Sequence, residues 1–335
     1  MLPSELKIGV IGLGKMGMLH LEKLSLNNRI ALSGVWDIDS TKTEAAAKLF
    51  NVKPFPDSDS LFLESDAVVI ASPTPTHFAL ARQAFDHDLH VFLEKPLAQT
   101  LSEGQELVRI ASKKNKILQT GFLERYRWMR LQHTVPDLWS SRPKLILSER
   151  SSSEPSRDPQ ADIVTDLMIH DIDFVLWTFG KKPSTVHAEG ISLRGRGLDL
   201  AYARLSFDSG EVAHLKAQWV APQRIRNTQV FWDKNRLHFN LLTQEANSAE
   251  FNETRLFQNR KWQIAGPDPL TDQINAFVSA IEGSTALVVD GHQGCSAQEV
   301  CEAIKKSIQE RTKLSVATAA EKHSPSLQSQ GDYVN

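Results

Sequence analysis

The chain has 335 residues, with Lys+Arg 38 against Asp+Glu 40 and a formal net charge of -2, a balance that gives no overall electrostatic reason to bind nucleic acid or an anionic membrane. Hydrophobic residues make up 41% and charged residues 23%, as in an ordinary soluble globular protein, and the length suits two domains that each bury a core. Two cysteines, Cys295 and Cys301, exclude a disulfide framework, and no apolar run approaches the roughly 20 residues of a membrane span. The N-terminus runs directly into a strand pattern without a secretory apolar region, so a cytoplasmic protein is expected.

In chain order, Lys7 to Ile11 reads as a buried strand and Met16 to Leu26 as a helix. Ile30 to Trp36 is a second strand, Lys42 to Phe50 a helix, and Ala67 to Ala71 a third strand. His77 to Asp86 reads as helix, His90 to Leu93 as strand, Leu101 to Lys113 as helix and Ile117 to Thr120 as a fifth strand. Continuous apolar strands alternating with helices predict a doubly wound parallel sheet covered on both faces. The alternation stops near Gly121, which places a first domain at residues 1–122 and a second at 123–316.

In the second part, Lys144 to Glu149 reads as a strand, Ser151 to Ala161 as a polar loop, and Ile163 to Phe179 as a strongly apolar helix. Thr185 to Leu193, Ala201 to Phe207 and Glu211 to Trp219 alternate as strands, the last two joined by Asp208-Ser209-Gly210, a hairpin signal. Gln229 to Phe239 and Ser248 to Leu256 are expected to add strands, and Leu270 to Ile281 and Ser296 to Arg311 closing helices. The fold class is therefore α/β, a parallel doubly wound sheet followed by an α/β domain with a largely antiparallel open sheet. Residues 317–335, rich in Ser and Gln with little to bury, are expected to be a disordered tail.

Gly12-Leu13-Gly14-Lys15-Met16-Gly17 fits G-x-G-x-x-G between a strand and a helix. Such a loop turns tightly at Gly12, admits a pyrophosphate at Gly14 and the helix N-terminus over Lys15 and Met16, and packs helix on strand at Gly17. Asp37 ends the second strand twenty residues after Gly17, the spacing at which a carboxylate meets the adenine ribose and repels a 2′-phosphate. Ile38, Asp39 and Ser40 supply no arginine for that phosphate, so NAD is expected rather than NADP. Glu94-Lys95-Pro96 follows the fourth strand, at the sheet edge where ligands bind. In the apolar helix, Asp166 and His170 stand four apart on one face, which predicts a carboxylate that orients the imidazole and raises its pKa, with Asp173 on a neighbouring part of the face. One histidine among acids fixes no ligand count, so no metal is expected.

These residues resemble the glucose–fructose oxidoreductase/inositol dehydrogenase (Gfo/Idh/MocA) oxidoreductases. The resemblance runs through the glycine motif, Ser72-Pro73-Thr74-Pro75-Thr76-His77, Glu94-Lys95-Pro96, Gly121-Phe122-Leu123-Glu124-Arg125-Tyr126, Asp166-x-x-x-His170-x-x-Asp173, and Asp268-Pro269-Leu270 with Phe277 and Asp290-Gly291, in the family's order over nearly the whole chain. Thr74 stands where the family usually has Asn. The resemblance implies cofactor contacts from Ser72, Thr74, His77, Glu94 and Lys95. It implies Lys95 on the reacting oxygen, His170 held by Asp166 as acid/base, and an open sheet used for self-association as a dimer or tetramer.

The stretch Val164 to Asp173, with Glu149-Arg150, the Pro155 to Arg157 loop and Ala221 to Arg226, is most similar to the branch that oxidises the 3-hydroxyl of UDP-N-acetylglucosamine. That branch works ahead of a pyridoxal-phosphate transaminase in diamino-sugar lipid A or surface-glycan synthesis. A diphosphate requires cations, for which Arg125, Arg127, Arg157, Arg224 and Arg226 are candidates, with Asp173 and His170 on the sugar. Three other functions stay open: a dehydrogenase of a free sugar or inositol, which needs no phosphate pocket; an NAD-dependent glycoside hydrolase, which releases a sugar without net NADH; and a dinucleotide-sensing protein, which has no use for an acid/base.

Overall fold

The computed structural model describes residues 5–153, 162–194, 197–251 and 257–310. Its first sheet has five parallel strands, β1 (Leu6–Ile11), β2 (Ile30–Trp36), β3 (Ala67–Ile70), β4 (His90–Glu94) and β5 (Leu118–Gly121), in the order β2-β1-β3-β4-β5. All four residues of β3 are buried, as a strand covered on both faces requires. The order reverses at β1, so a crevice opens beyond the carboxyl ends of β1 and β3, where open α/β sheets bind ligands.

The covering helices begin where their caps dictate. After α1 (Lys15–Ser25), α2 (Ser40–Phe50) starts at Asp39, whose side chain accepts from Thr41 N. The short α3 (Ser58–Phe62) starts the same way at Asp57 and was too brief to show a periodicity. α4 (His77–Asp86) runs as expected, and α5 (Leu101–Lys114) carries a full capping box between Thr100 and Glu103.

Strand–helix alternation does not stop at Gly121. β5 leads into α6 (Leu123–Thr134), which shows no amphipathic pattern because its charged Glu124 and Arg125 are buried rather than solvated. The apolar helix also differs from expectation: Val164–Met168 is a π turn, and α7 (Ile169–Phe179) is α-helical only from Ile169.

The second sheet has eight strands: β6 (Leu145–Ser151), β7 (Thr185–Ile191), β8 (Leu200–Ser206), β9 (Val212–Gln218), β10 (Ile225–Phe231), β11 (Asn235–Asn240), β12 (Glu245–Phe251) and β13 (Phe257–Gln263). Their order is β13-β12-β11-β10-β6-β9-β8-β7, antiparallel throughout except for the parallel pair β6–β9. The β8–β9 hairpin turns at Gly210, φ +93°. The expected single strand Gln229 to Phe239 is two strands with a turn at Asp233-Lys234. Inward residues such as Ala201, Ala203, Leu205, Ala213, Leu215 and Ala217 pack in one core with α7 and α9 (Gly291–Glu310), while Tyr202, Arg204 and His214 face outward. Trp128 of α6 stacks on Phe174 of α7 at 3.7 Å.

Residues 311–335, which contain the expected tail, lie outside the described residues. The closing segment does not pack solely on the second sheet. α8 (Pro269–Ile281) places Leu270, Ile274 and Phe277 in the core beneath β1 and β4, with Phe277 edge-on to Phe92 at 5.8 Å. Thr120 N then donates to Val289 O at 3.1 Å as the chain re-enters toward α9.

Candidate active site

The glycine loop is shaped by three contacts. Gly12 has φ +83°, and a Cβ there would lie 2.5 Å from Ser72 N, in the loop after β3. A Cβ on Gly17 would lie 1.7 Å from Gly12 O, whereas one on Gly14 would meet nothing within 4 Å. The loop therefore closes tightly on the protein side and is open above Gly14. Lys15 is exposed and Met16 half-buried at the start of α1, whose first N–H groups receive no side-chain cap. Asp37 braces the loop: its carboxylate accepts from Leu13 N at 2.6 Å and from Asp39 N at 2.9 Å, one bond on each oxygen. Each oxygen keeps a lone pair for a ribose hydroxyl. An uncapped helix N-terminus, an open glycine and a strand-end carboxylate fit a dinucleotide.

The loops after β3 and β4 are pinned together. Ser72 and Thr76 share a hydroxyl hydrogen bond at 2.7 Å across the turn that contains Thr74. His77 is buried, its Nε2 2.9 Å from Ser72 O and its Nδ1 3.0 Å from Pro96 O. Burial pushes its pKa down against the pull of those carbonyls, so the neutral ring donates to one of them. It holds the two loops in place rather than facing the cleft. Glu94 is likewise beneath the site, accepting from His20 Nε2 of α1 at 2.7 Å, with its second oxygen 3.3 Å from Lys95 N.

Lys95 reaches from this edge to the π turn, where its Nζ donates to Asp166 O at 2.8 Å and to Asp166 Oδ1 at 3.3 Å. This corrects the expected Asp166–His170 pair. The π turn Val164–Met168 adds a residue to the helical repeat and breaks the i, i+4 alignment, so the carboxylate meets Lys95 instead. His170 lies edge-on to Phe122, ring centroids 6.2 Å apart, and its Nδ1 is buried with no hydrogen-bond partner among the described residues. Its pKa is not raised but driven well below the ordinary value, first by burial and then by the charges of Lys95, Arg150 and Arg226. That direction favours the neutral imidazole, the form that can accept a proton.

The arginines sort differently from their sequence reading. Arg125 holds Asp173 in a buried fork through Nε at 3.0 Å and through Nη2, and lies 5.2 Å from the Trp177 ring; neither Arg125 nor Asp173 presents a spare charge. Arg150, which sequence reasoning left without a role, donates to both oxygens of Asp171 at 3.0 Å and to Glu124 Oε1 at 3.3 Å. Arg127 bonds Leu241 O and lies 3.5 Å from Glu124 Oε2. Arg226 donates to Glu124 Oε1 at 2.6 Å. Burial pushes the Glu124 carboxyl up, but these three guanidinium groups leave it below its usual range. Arg224 is exposed, and Arg157 lies outside the described residues. His20, Glu124 and Asp171 were missed too. His20 carried one signal, a polar residue on the buried stripe of α1; the others look like surface charges until their partners are known.

A family model described as the oxidoreductase family, NAD-binding Rossmann fold, matches residues 6–122, and one for the GFO/IDH/MocA C-terminal domain matches residues 115–238. A UDP-N-acetylglucosamine 3-dehydrogenase of Acidithiobacillus ferrooxidans is 28% identical over 295 residues, 87% of this chain and 93% of that protein. A myo-inositol 2-dehydrogenase of Thermotoga maritima is 27% identical, with 91% and 97% covered. A solved structure of UDP-N-acetylglucosamine 3-dehydrogenase from Acidithiobacillus ferrooxidans superimposes with a TM-score of 0.85 at 27% identity, covering 91% of this chain and 98% of that one. The chain belongs to the Gfo/Idh/MocA family and is an oxidoreductase that uses NAD(H).

Asp37→Ala removes the brace on Leu13 and with it a strand-end carboxylate that has acceptor capacity left for a ribose. The NAD over NADP preference in kcat/KM should narrow by about tenfold or more, the worth of a hydrogen bond to a charged group; an unchanged ratio would take Asp37 out of cofactor selection.

Proposed function

We propose that this protein oxidises a secondary hydroxyl of a sugar or sugar nucleotide to a ketone, with the 3-hydroxyl of UDP-N-acetylglucosamine as the favoured substrate. The observation that carries this reading is Lys95 donating to Asp166 at the carboxyl edge of the first sheet, with the buried His170 four residues further along the same segment. Alcohol oxidation removes a proton and a hydride from the same carbinol. Bound NAD supplies the hydride acceptor. Lys95, as an ammonium, donates to the carbinol oxygen and stabilises negative charge as it develops there. Asp166 holds that ammonium in place, and His170 accepts the hydroxyl proton.

Two features support the nucleotide sugar: the near full-length match to a UDP-N-acetylglucosamine 3-dehydrogenase and the concentration of arginines on the second-sheet side of the site. A dehydrogenase of free inositol is the second reading, supported by the full-length match to the myo-inositol 2-dehydrogenase. A 3-keto product would suit a pyridoxal-phosphate transaminase as the next enzyme. Buried free Cys295 and Cys301 support a reducing, cytoplasmic setting, and no helix among the described residues is long and apolar enough to cross a membrane. Self-association as a dimer or tetramer through the outer face of the second sheet belongs to the same reading, supported by the half-exposed Tyr202 and Ile191 on that face.

NADH formation at 340 nm should appear with NAD and UDP-N-acetylglucosamine in the presence of a ketone trap, against UDP-glucose, myo-inositol and glucose. Turnover with free polyols alone would replace the first reading by the second. Lys95→Ala and His170→Ala should each lower kcat by about 10²-fold or more while calorimetry still detects NAD binding; near-normal turnover in both would dismiss the assignment. Because His170 is held neutral, the acid limb of kcat/KM should lie below the ordinary histidine value, since a depressed pKa extends the base form downward in pH. A limb at or above pH ~6.5 would contradict that environment. Light scattering should give a mass of at least two chains at micromolar protein; a monomer would refute the outer-face interface.

A further inference from the structure

Three arginines lie close together between α6, α7, β6 and β10, and their internal partners are unequal. Among the described residues, Arg127, Arg150 and Arg226 share only Glu124 and Asp171 as acidic partners, which leaves one positive charge over. Arg150 and Arg226 stand directly opposite each other in the β6–β10 register, an unfavourable placement for like charges. Arg150 is satisfied: its Nε/Nη2 edge takes Asp171 and its third nitrogen takes Glu124. Nearby, Arg125 uses the same Nε/Nη2 edge for Asp173. Arg226 is different. Its Nη1 bonds Glu124, and its Nε and Nη2 have no hydrogen-bond partner among the described residues. Its side chain is 23% exposed, against 2% for Arg150.

The edge that two neighbouring arginines each close with a carboxylate is therefore open in Arg226 among the described residues, on the face of β10 that carries the buried Thr228 and Val230. We infer that Arg226 is the specificity residue of this site, binding an anionic group of the substrate, phosphoryl or carboxylate, through its Nε/Nη2 edge. That edge matches two oxygens of either group. Burial and the neighbouring Arg150 push the Arg226 pKa down to about 10 despite Glu124, as expected for a cation that lacks its full counter-charge. Arg226 shares Glu124 with Arg150, whose other edge takes Asp171, the neighbour of His170 in the chain, so the anion it takes lies on the His170 side of the site. A buried arginine that served stability alone would gain from a second carboxylate or from replacement by an apolar side chain. This inference rests on the sugar-oxidising reading above and narrows its substrates to anionic ones.

The test uses the full-length, NADH-loaded protein and calorimetric titration with UDP as the phosphoryl probe and glucuronate as the carboxylate probe. In Arg226→Gln the affinity for one of them should fall by about tenfold to hundredfold, the loss of a charged bidentate contact, and Arg226→Lys should recover part of it with the thermal midpoint kept. Loss of UDP affinity identifies the phosphoryl source, and loss of glucuronate affinity the carboxylate source. Equal binding by wild type and both variants, or no binding of either probe by wild type, would overturn the inference. So would a uniform fall in kcat with KM unchanged, the mark of a merely structural arginine. Turnover of UDP-N-acetylglucosamine with a KM indifferent to Arg226→Gln would leave the proposed function standing without this residue. Arg226-dependent glucuronate binding without that turnover would do the reverse.

Discussion

The ammonium of Lys95 on Asp166 is the contact around which the site is arranged. It runs from the end of a parallel strand to a π turn in the second half of the chain, and it uses both the backbone carbonyl and the carboxylate of one residue. A single π turn within a helix is rare and frequently falls at a functional site. Here it turns Asp166 away from His170 and toward Lys95, so the histidine is left with neither acid nor hydrogen bond on Nδ1. With no carboxylate among the described residues to oppose them, burial first and then the charges of Lys95, Arg150 and Arg226 take the His170 pKa down.

Beneath the cleft, a second tier of residues fixes the loops without reaching into it. His77 joins the loops after β3 and β4, and His20 holds Glu94 from the first helix. On the far wall, Glu124 gathers three guanidinium groups while Asp171 and Asp173 each take a forked arginine. Buried ion pairs of this kind add little net stability, but removal of one partner leaves a buried charge uncompensated. They tie β6, β10, α6 and α7 together through buried side chains.

Much of this was legible from the chain. The five parallel strands are short continuous apolar runs, and α4 showed its bounds because its buried face repeats at helical spacing. The glycine loop, Asp37, Lys95 and His170 could be named because turn chemistry and sheet-edge position are local properties. α6 could not be read, since Glu124 and Arg125 look solvated in sequence and find their partners 26 and 48 residues away. The π turn leaves no mark on hydrophobic periodicity. The β10–β11 turn did leave one, at Asp233-Lys234, but both flanks are apolar enough to read as one strand. Arginine roles were the least legible, because a guanidinium's function depends on which of its edges is already taken.

The return of α8 to the first sheet has a consequence for how the chain must be made. Ile8 and Val10 share a core with Leu270, Ile274 and Phe277, residues separated by most of the sequence. Until residue 281 has been synthesised, the nucleotide-binding sheet lacks part of one wall, and its apolar face stays open to solvent or to a chaperone. A fragment cut at the end of β5 would keep the glycine loop, Asp37 and Lys95 yet carry that bare face. The two halves are therefore distinct in architecture yet share a core, with α8 closing one wall of the first sheet.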